Sequence, residues 1–427
     1  MMKLYNYIPK IYYIIPFIFI ANRGLSILAF FIFSLWSISK FKYNKDIIKQ
    51  HYQKYNQLYF PLFIFNLYLV FNTLFISVNS SNSLGRLLMF NLITLFIFYF
   101  HLMLKKNEKI INFNLVIKFF IVFFSFIVLD TYFQAIFRFD IFGFEVSSLR
   151  LTGPFQDEQI IGSFILKFMF FFLYFISIKK NKSFLEVYCP LIILLIIFLS
   201  GERMATLYAS FFYVIYFITN LYKKFNFKLY LVPIFLLIIL SVNTVKVISD
   251  SNLSFQIKHM LSNEELSNII YEPSNKLDSI TYKYIKRFIS STAFNLKLDN
   301  SYSNLFISGI ETWKLNKFFG VGMKNYRTEC VNIKSNKNIE CSTHPHNLFS
   351  EILSELGLCG LILFIYFILN ILRYLISNFV KENYFIIFSI LPALIPLING
   401  SLFNSFNILI FAYQISLTFL IVNNQVR

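Results

Sequence analysis

Apolar runs approaching twenty residues recur along the whole 427-residue chain. A helix of that length spans the hydrocarbon core of a bilayer. Only 14% of the residues are charged and 57% are hydrophobic, too little polar surface for a soluble chain of this size. A membrane barrel needs short alternating segments instead of long apolar blocks. The expected fold class is therefore all-α, a polytopic membrane protein.

About twelve spans can be read, near 8–20, 24–39, 57–78, 84–104, 111–136, 160–178, 184–200, 204–222, 229–247, 346–378, 384–402 and 404–424. The first two are short enough to form one tight hairpin. Three regions follow: spans one to nine in 1–247, a large loop in 248–345, and spans ten to twelve in 346–427. The loop contains apparent helical stretches at 279–290 and 303–318 and is too long for a plain connector. No cleavable signal peptide is expected, because no A-x-A-like site follows the first apolar run.

A net charge of +18 raises the question of nucleic acid. The lysines answer it by position. They collect in alternate gaps at Lys40–Lys54, Lys105–Lys109, Lys179–Lys182 and Lys223–Lys228, with Arg373 and Lys381 in the last. The positive-inside rule makes these gaps cytoplasmic, together with both termini. No nucleic-acid partner is expected, and membrane lipids are. The short opposite gaps contain Arg23, Arg86, Arg138, Arg150 and Arg203 but no lysine, in a chain where Lys outnumbers Arg 30 to 9. Arginine presents a rigid, always-charged fork that matches phosphate oxygens. The plainer reading is that outer arginines anchor helix ends at headgroups.

The most informative stretch is Thr343-His344-Pro345-His346-Asn347, followed by Gly357-Leu358-Cys359-Gly360. Pro345 suits the first turn of a helix, so the tenth span is expected to start there. Eleven residues at about 100° each return to the same face, placing Gly357 under His346 about 16 Å deeper. Gly360 lies beside that line, and glycines there admit a second helix. A helix start favours anions and disfavours imidazolium, so His346 should be neutral and available as a base. His344 should point elsewhere and act as a cap.

His-Asn, then Gly-x-x-Gly, resembles the signature of the O-antigen ligase and polymerase superfamily. So do Arg150-Leu151-Thr152-Gly153-Pro154-Phe155 through Gly162, Ser200-Gly201-Glu202-Arg203, and Trp313 through Phe319-Gly320-Val321-Gly322. The resemblance runs from about 86 to 402. It implies a GT-C-like enzyme at the outer, periplasmic face of a bacterial inner membrane, moving a glycan from undecaprenyl pyrophosphate with inversion. Neither metal nor cofactor is implied, and no zinc-spaced cluster or phosphate-binding Gly loop is present. On that pattern Arg203 and Arg150 grip the pyrophosphate, with Arg86 a further candidate. His346 takes the acceptor proton or orients the acceptor. Asn347, Glu202, Gly357 and Gly360 support the site, and Asp157 or Glu158 offers a second base. Arg327 is read as a solvated loop charge. The acceptor is lipid A core for a ligase, or a second carrier-linked glycan for a polymerase. Gln156-Asp157-Glu158-Gln159 stands where ligases often have Asn-Pro-Asn, and leans toward a polymerase.

Cys330 and Cys341 form either a disulfide or two thiols on an oxidising face. A bridge there stabilises by roughly 3 kcal/mol and restrains the approach to His346. Cys189 and Cys359 fall within spans. The competing class is a transporter such as a polysaccharide flippase, which calls for midplane charges and an internal repeat. No repeat is visible, and Lys118 and Lys167 are expected to snorkel toward a face. A non-catalytic scaffold leaves the arginines and histidine unexplained.

Overall fold

The computed structural model describes residues 8–41, 44–106, 111–137, 139–145, 150–156, 158–178, 183–218, 301–334, 339–378, 386–394, 401 and 403–425. The span at 229–247, the loop as far as residue 300 with its stretch 279–290, Arg138 and Asp157 lie outside the described residues.

Every apolar run that is described is a helix: α1 (Ile11–Ala21), α2 (Arg23–Phe41), α4 (Asn56–Phe71), α5 (Ser80–Lys105), α6 (Phe113–Phe137), α7 (Ile161–Ser177), α8 (Ser183–Leu199), α9 (Arg203–Tyr216), α12 (Leu348–Asn378), α13 (Ile387–Leu394) and α14 (Ser405–Gln425). Lipid offers no partner to a backbone amide, so a spanning segment must satisfy its own. Among the described residues, six helices are long and apolar enough to cross a membrane: Gly24–Phe41, Asn56–Ile76, Ser80–Lys105, Phe113–Phe137, Leu348–Asn378 and Ser405–Asn424. The protein is a multi-pass membrane protein. Among the described residues there is no strand, only an isolated bridge between Phe139 and Glu145.

Three further α-helices are described: the polar α3 (Lys45–Lys54), α10 (Ser301–Trp313) and the polar α11 (Tyr326–Lys334). The sequence marks the lysine-rich stretch Lys40–Lys54 as a gap between spans and assigns it no helix. Instead α3 forms there, with Asp46 in its first turn, His51 and Lys54 in its last, and His51 buried. Those charges complement the helix dipole.

The chain divides into two compact units. The first holds Met1–Ser125, Lys167–Ile178 and Asp299–Arg427. Its central element is α14, whose spanning window is 89% buried against 44% for Asn56–Ile76 and for Leu348–Asn378. Rings lock α4 to α12: Phe65 lies 5.8 Å from Phe364 and 6.0 Å from Phe367, centroid to centroid. Lys167 departs from the expectation that it snorkels. It is buried, and its Nζ donates to Asn407 Oδ1 at 3.0 Å, so a polar partner on α14 holds it inside. Lys118 is exposed.

The second unit holds Phe126–Leu166 and Lys179–Leu298. Here α8 and α9 pack as a hairpin across the Ser200–Glu202 turn. Beside them the chain from 150 to 155 is held inward, with Leu151 and Thr152 fully buried.

Candidate active site

In the second unit, one side chain fixes the Arg150 loop. Gln134 Oε1 accepts from Thr152 N at 2.9 Å and Gly153 N at 2.8 Å, and Gln134 Nε2 donates to Thr152 Oγ1 at 3.1 Å. Gly153 has φ +54°, and a Cβ there would sit 2.8 Å from Thr131 Oγ1, so glycine is required. Pro154 then opens the single turn Gly153–Phe155. Sequence reasoning passed over Gln134 and Thr131, because their partners lie about twenty residues downstream.

The loop delivers Arg150 onto the turn between α8 and α9. Gly201 has φ +73°, and a Cβ on it would come within 3.3 Å of Arg150 Cγ. Two of the motifs picked out in the sequence thus meet within one unit. The Glu202 carboxylate turns to the start of α7. Its Oε1 accepts from Gly162 N at 2.7 Å and its Oε2 from Ser163 N at 3.1 Å, capping α7. Gly162 admits this close approach, since a Cβ would overlap Ser200 Oγ. Burial pushes the Glu202 carboxyl up, while these N–H groups and the Arg150 charge pull it back. Arg203 opens α9, whose N-cap Glu202 spends its carboxylate on α7 and gives α9 no side-chain cap. Of Arg203 the structure describes the backbone. Glu158 lies in the same loop, part-exposed, its N–H bonded to Phe155 O at 3.1 Å.

In the first unit the histidine does not open a helix. Asn347 is the cap of α12: its Oδ1 accepts from Ser350 N at 3.1 Å and its carbonyl from Glu351 N at 2.9 Å. His346 precedes it with φ +51°. A helix phase counted from His346 therefore fails, and Gly357 does not lie beneath it on a regular helix. Gly357 itself breaks α12, at φ 68° and ψ −170°. The left-handed step at His346 also overturns the expectation that His344 points away. The two rings lie against each other, tilted by 31°, with centroids 4.1 Å apart. Burial lowers both imidazoles, and His344 falls to about 3 with help from the neighbouring His346 and Lys324.

The break at Gly357 is filled by the end of the large loop. Leu358 N and Cys359 N, freed from α12, donate to Lys317 O at 3.0 Å and Phe318 O at 3.1 Å. In return Val321 N and Gly322 N donate to Ser354 O at 2.9 Å and Glu355 O at 2.8 Å. The glycines of Phe319-Gly320-Val321-Gly322 and Gly357 thus serve a backbone-to-backbone contact with this loop. Gly360 is the one that faces a helix, with Tyr68 Cε1 of α4 at 3.1 Å from its would-be Cβ. The far side of the strap is held by Asn325 Nδ2, which donates to Ser77 Oγ at 2.6 Å and Ser83 Oγ at 3.2 Å. Gly320→Ala should cost ~2–4 kcal/mol, because φ is +71° and the new Cβ would sit 2.5 Å from Glu355 O. The thermal midpoint of the detergent-solubilised protein measures this.

Around the strap lies a group of charges of which the sequence reading names only Arg86 and Arg327. Lys324 N donates to Glu355 Oε2 at 2.7 Å, and Lys324 Nζ to Ser401 Oγ at 3.3 Å. Ser401 Oγ donates to Glu351 Oε1. Arg86 bonds Ser405 Oγ and shares the field of Glu351, Glu355 and Arg327. Arg327 is exposed on α11. Cys330 and Cys341 are joined in a disulfide, with Cα atoms 5.8 Å apart, tying α11 to the segment that runs into His344. Cys189 and Cys359 are free thiols. Among the described residues no group of His, Cys, Asp and Glu is arranged to hold a metal ion.

Residues 189–365 match the O-antigen ligase family. That stretch is similar to the O-antigen ligase family and supports the resemblance drawn from the motifs. The match takes in the Ser200–Arg203 turn, the strap and the His346–Gly360 motif; Arg86 and Arg150 stand outside it. No curated protein matches the chain.

Proposed function

We propose that this O-antigen ligase-like protein transfers a glycan from undecaprenyl pyrophosphate to an acceptor hydroxyl on lipid A core. The reaction takes place at the periplasmic face of the inner membrane, with inversion at the sugar and without a metal. Arg150 and Arg203 hold the pyrophosphate and stabilise the charge that develops as it departs. His346 takes the acceptor proton or orients the hydroxyl. The observation that carries this reading is the convergence of Arg150 on the Ser200-Gly201-Glu202 turn. It sets a guanidinium beside the start of α9, where backbone N–H groups and Arg203 are also found. The polymerase reading keeps the same machinery with a second carrier-linked glycan as acceptor, and the Gln156-Asp157-Glu158-Gln159 stretch favours it.

Deletion of the gene tests the proposal. Loss of long chains from lipid A, with polymer retained on the carrier, is the expected result. Single repeat units left on lipid A mean a polymerase. An unchanged surface polysaccharide refutes both. Within the enzyme, Arg203→Lys should lose most activity, because one ammonium cannot reproduce a bidentate fork. Full activity would reduce Arg203 to an anchor at the headgroups.

A further inference from the structure

Beyond α6 the chain turns back along the helix it has just left. Residues 139–145 form a hairpin, closed at its base by the bridge between Phe139 and Glu145. Its contacts descend α6 in order. The Phe139 and Phe133 rings lie 5.6 Å apart, Ile141 N donates to Asp130 Oδ1 at 2.8 Å, and the Phe142 and Phe126 rings lie 6.0 Å apart. From the helix end at Phe137 back to Phe126 is about 16 Å along the axis. Since α6 is long and apolar enough to cross a membrane, a hairpin laid along it enters the hydrocarbon.

The polarity of the hairpin is inverted, as that setting requires. Ile141 and Phe142 at the tip are 55% and 58% exposed, and Phe139 and Phe144 are exposed beside them, whereas Asp130 and Asp140 are fully buried. In water such a patch is a liability; against lipid it is the favoured face. The backbone is matched as well. Lipid has no acceptor for an amide, and the amides of Asp140, Ile141, Gly143 and Phe144 find acceptors inside the protein. Asp140 N donates to Phe144 O and Gly143 N to Asp140 O, both at 3.0 Å, while Phe144 N donates to Asp140 Oδ1 at 2.6 Å. The two buried carboxyls thus serve the hairpin backbone, and the charged Glu145 stands exposed at its base.

The hairpin shares a bracket with the Arg150 loop. Gln134 Nε2 donates to Phe144 O at 3.4 Å and to Thr152 Oγ1 at 3.1 Å, while its Oε1 accepts from Thr152 N and Gly153 N. One side chain therefore joins an apolar element to a loop that carries a guanidinium, all within the second unit. An anionic head with a long apolar chain fits that pairing. We propose that the 139–145 hairpin is a re-entrant element that receives the isoprenoid chain of the lipid-linked donor while Arg150 receives its pyrophosphate. This rests on the role given to Arg150 above.

Photocrosslinking tests it without glycan transfer. The full chain, in phospholipid nanodiscs, carries photoreactive p-benzoylphenylalanine in place of Phe142, or in place of Leu67, which is exposed on the spanning helix α4, as the reference. Undecaprenyl pyrophosphate is the probe, and mass spectrometry reads which lipid is attached after illumination. Position 142 should attach the isoprenoid chain several-fold more than position 67, and saturably. Arg150→Ala should lower that yield several-fold. Isoprenoid and phospholipid attached at 142 in the same proportion as at 67 overturn the chain site. Attachment of neither lipid at 142 puts the tip outside the membrane and overturns the re-entrant hairpin. An isoprenoid yield that survives Arg150→Ala supports the chain site and refutes instead the pyrophosphate role of Arg150, so the two failures are told apart. If the variant at 142 is not recovered from the membrane, Ile141 carries the label, with the same outcomes.

Discussion

His346→Ala should lower glycan transfer by ~10²–10⁴-fold, the range for loss of a general acid–base group, while the protein stays in the membrane. The position calls for a companion variant. His346 has φ +51°, which histidine tolerates better than alanine, so His346→Ala also adds backbone strain of up to about 1 kcal/mol. Asparagine tolerates that conformation far better, yet has no nitrogen that accepts a proton. His346→Asn should therefore be as inactive as His346→Ala and more stable. Wild-type transfer by His346→Asn would remove the histidine from the chemistry. The pH dependence separates the two effects of burial. Both imidazoles are lowered in the folded protein, so between about 6.5 and the folded value the unfolded chain binds more protons than the native one. Stability falls as pH drops through that window, down to about 3 for His344. The neutral fraction of the pair, and with it the histidine-dependent part of the rate, should persist below pH ~6.5.

The spans were legible because lipid leaves the backbone one solution, and an apolar run near twenty residues states it openly. Local signals misled where tertiary contact decided. Pro345 fits the first turn of a helix, but Asn347 is the stronger cap, and its side chain and carbonyl set the start at Leu348. Gly357 reads as a packing glycine at helical spacing, yet the backbone breaks there because a loop some forty residues upstream supplies the missing carbonyls. The motifs were visible as separate words. Their joining was not, since Arg150 meets Gly201 and Lys324 meets Glu355 through the fold alone. Glu202 shows the same limit: a capping carboxylate is sought near its own helix, and this one caps a helix that begins forty residues earlier.

Arg150→Ala should cost ~10²–10³-fold in transfer, as loss of one preorganised donor to developing charge does elsewhere. The structure makes the cost specific to chemistry. Loop 151–155 is held by Gln134, by Gly153 and by burial of Leu151, none of which depends on the guanidinium. The fold should therefore survive, with a thermal midpoint near that of the wild type. One compensating change is expected at Glu202. Its carboxylate is pulled down by Arg150 and pushed up by burial, so removal of the cation leaves it easier to protonate. In Arg150→Ala the α7 cap should weaken as the pH is lowered, which the acid limb of thermal stability reports. Glu202→Gln removes that titration and keeps one amide oxygen for Gly162 N. Combined with Arg150→Ala it should abolish the added acid sensitivity without restoring transfer. If the double variant recovers activity, then Arg150 serves only to neutralise Glu202, and the phosphate-binding role belongs to another residue.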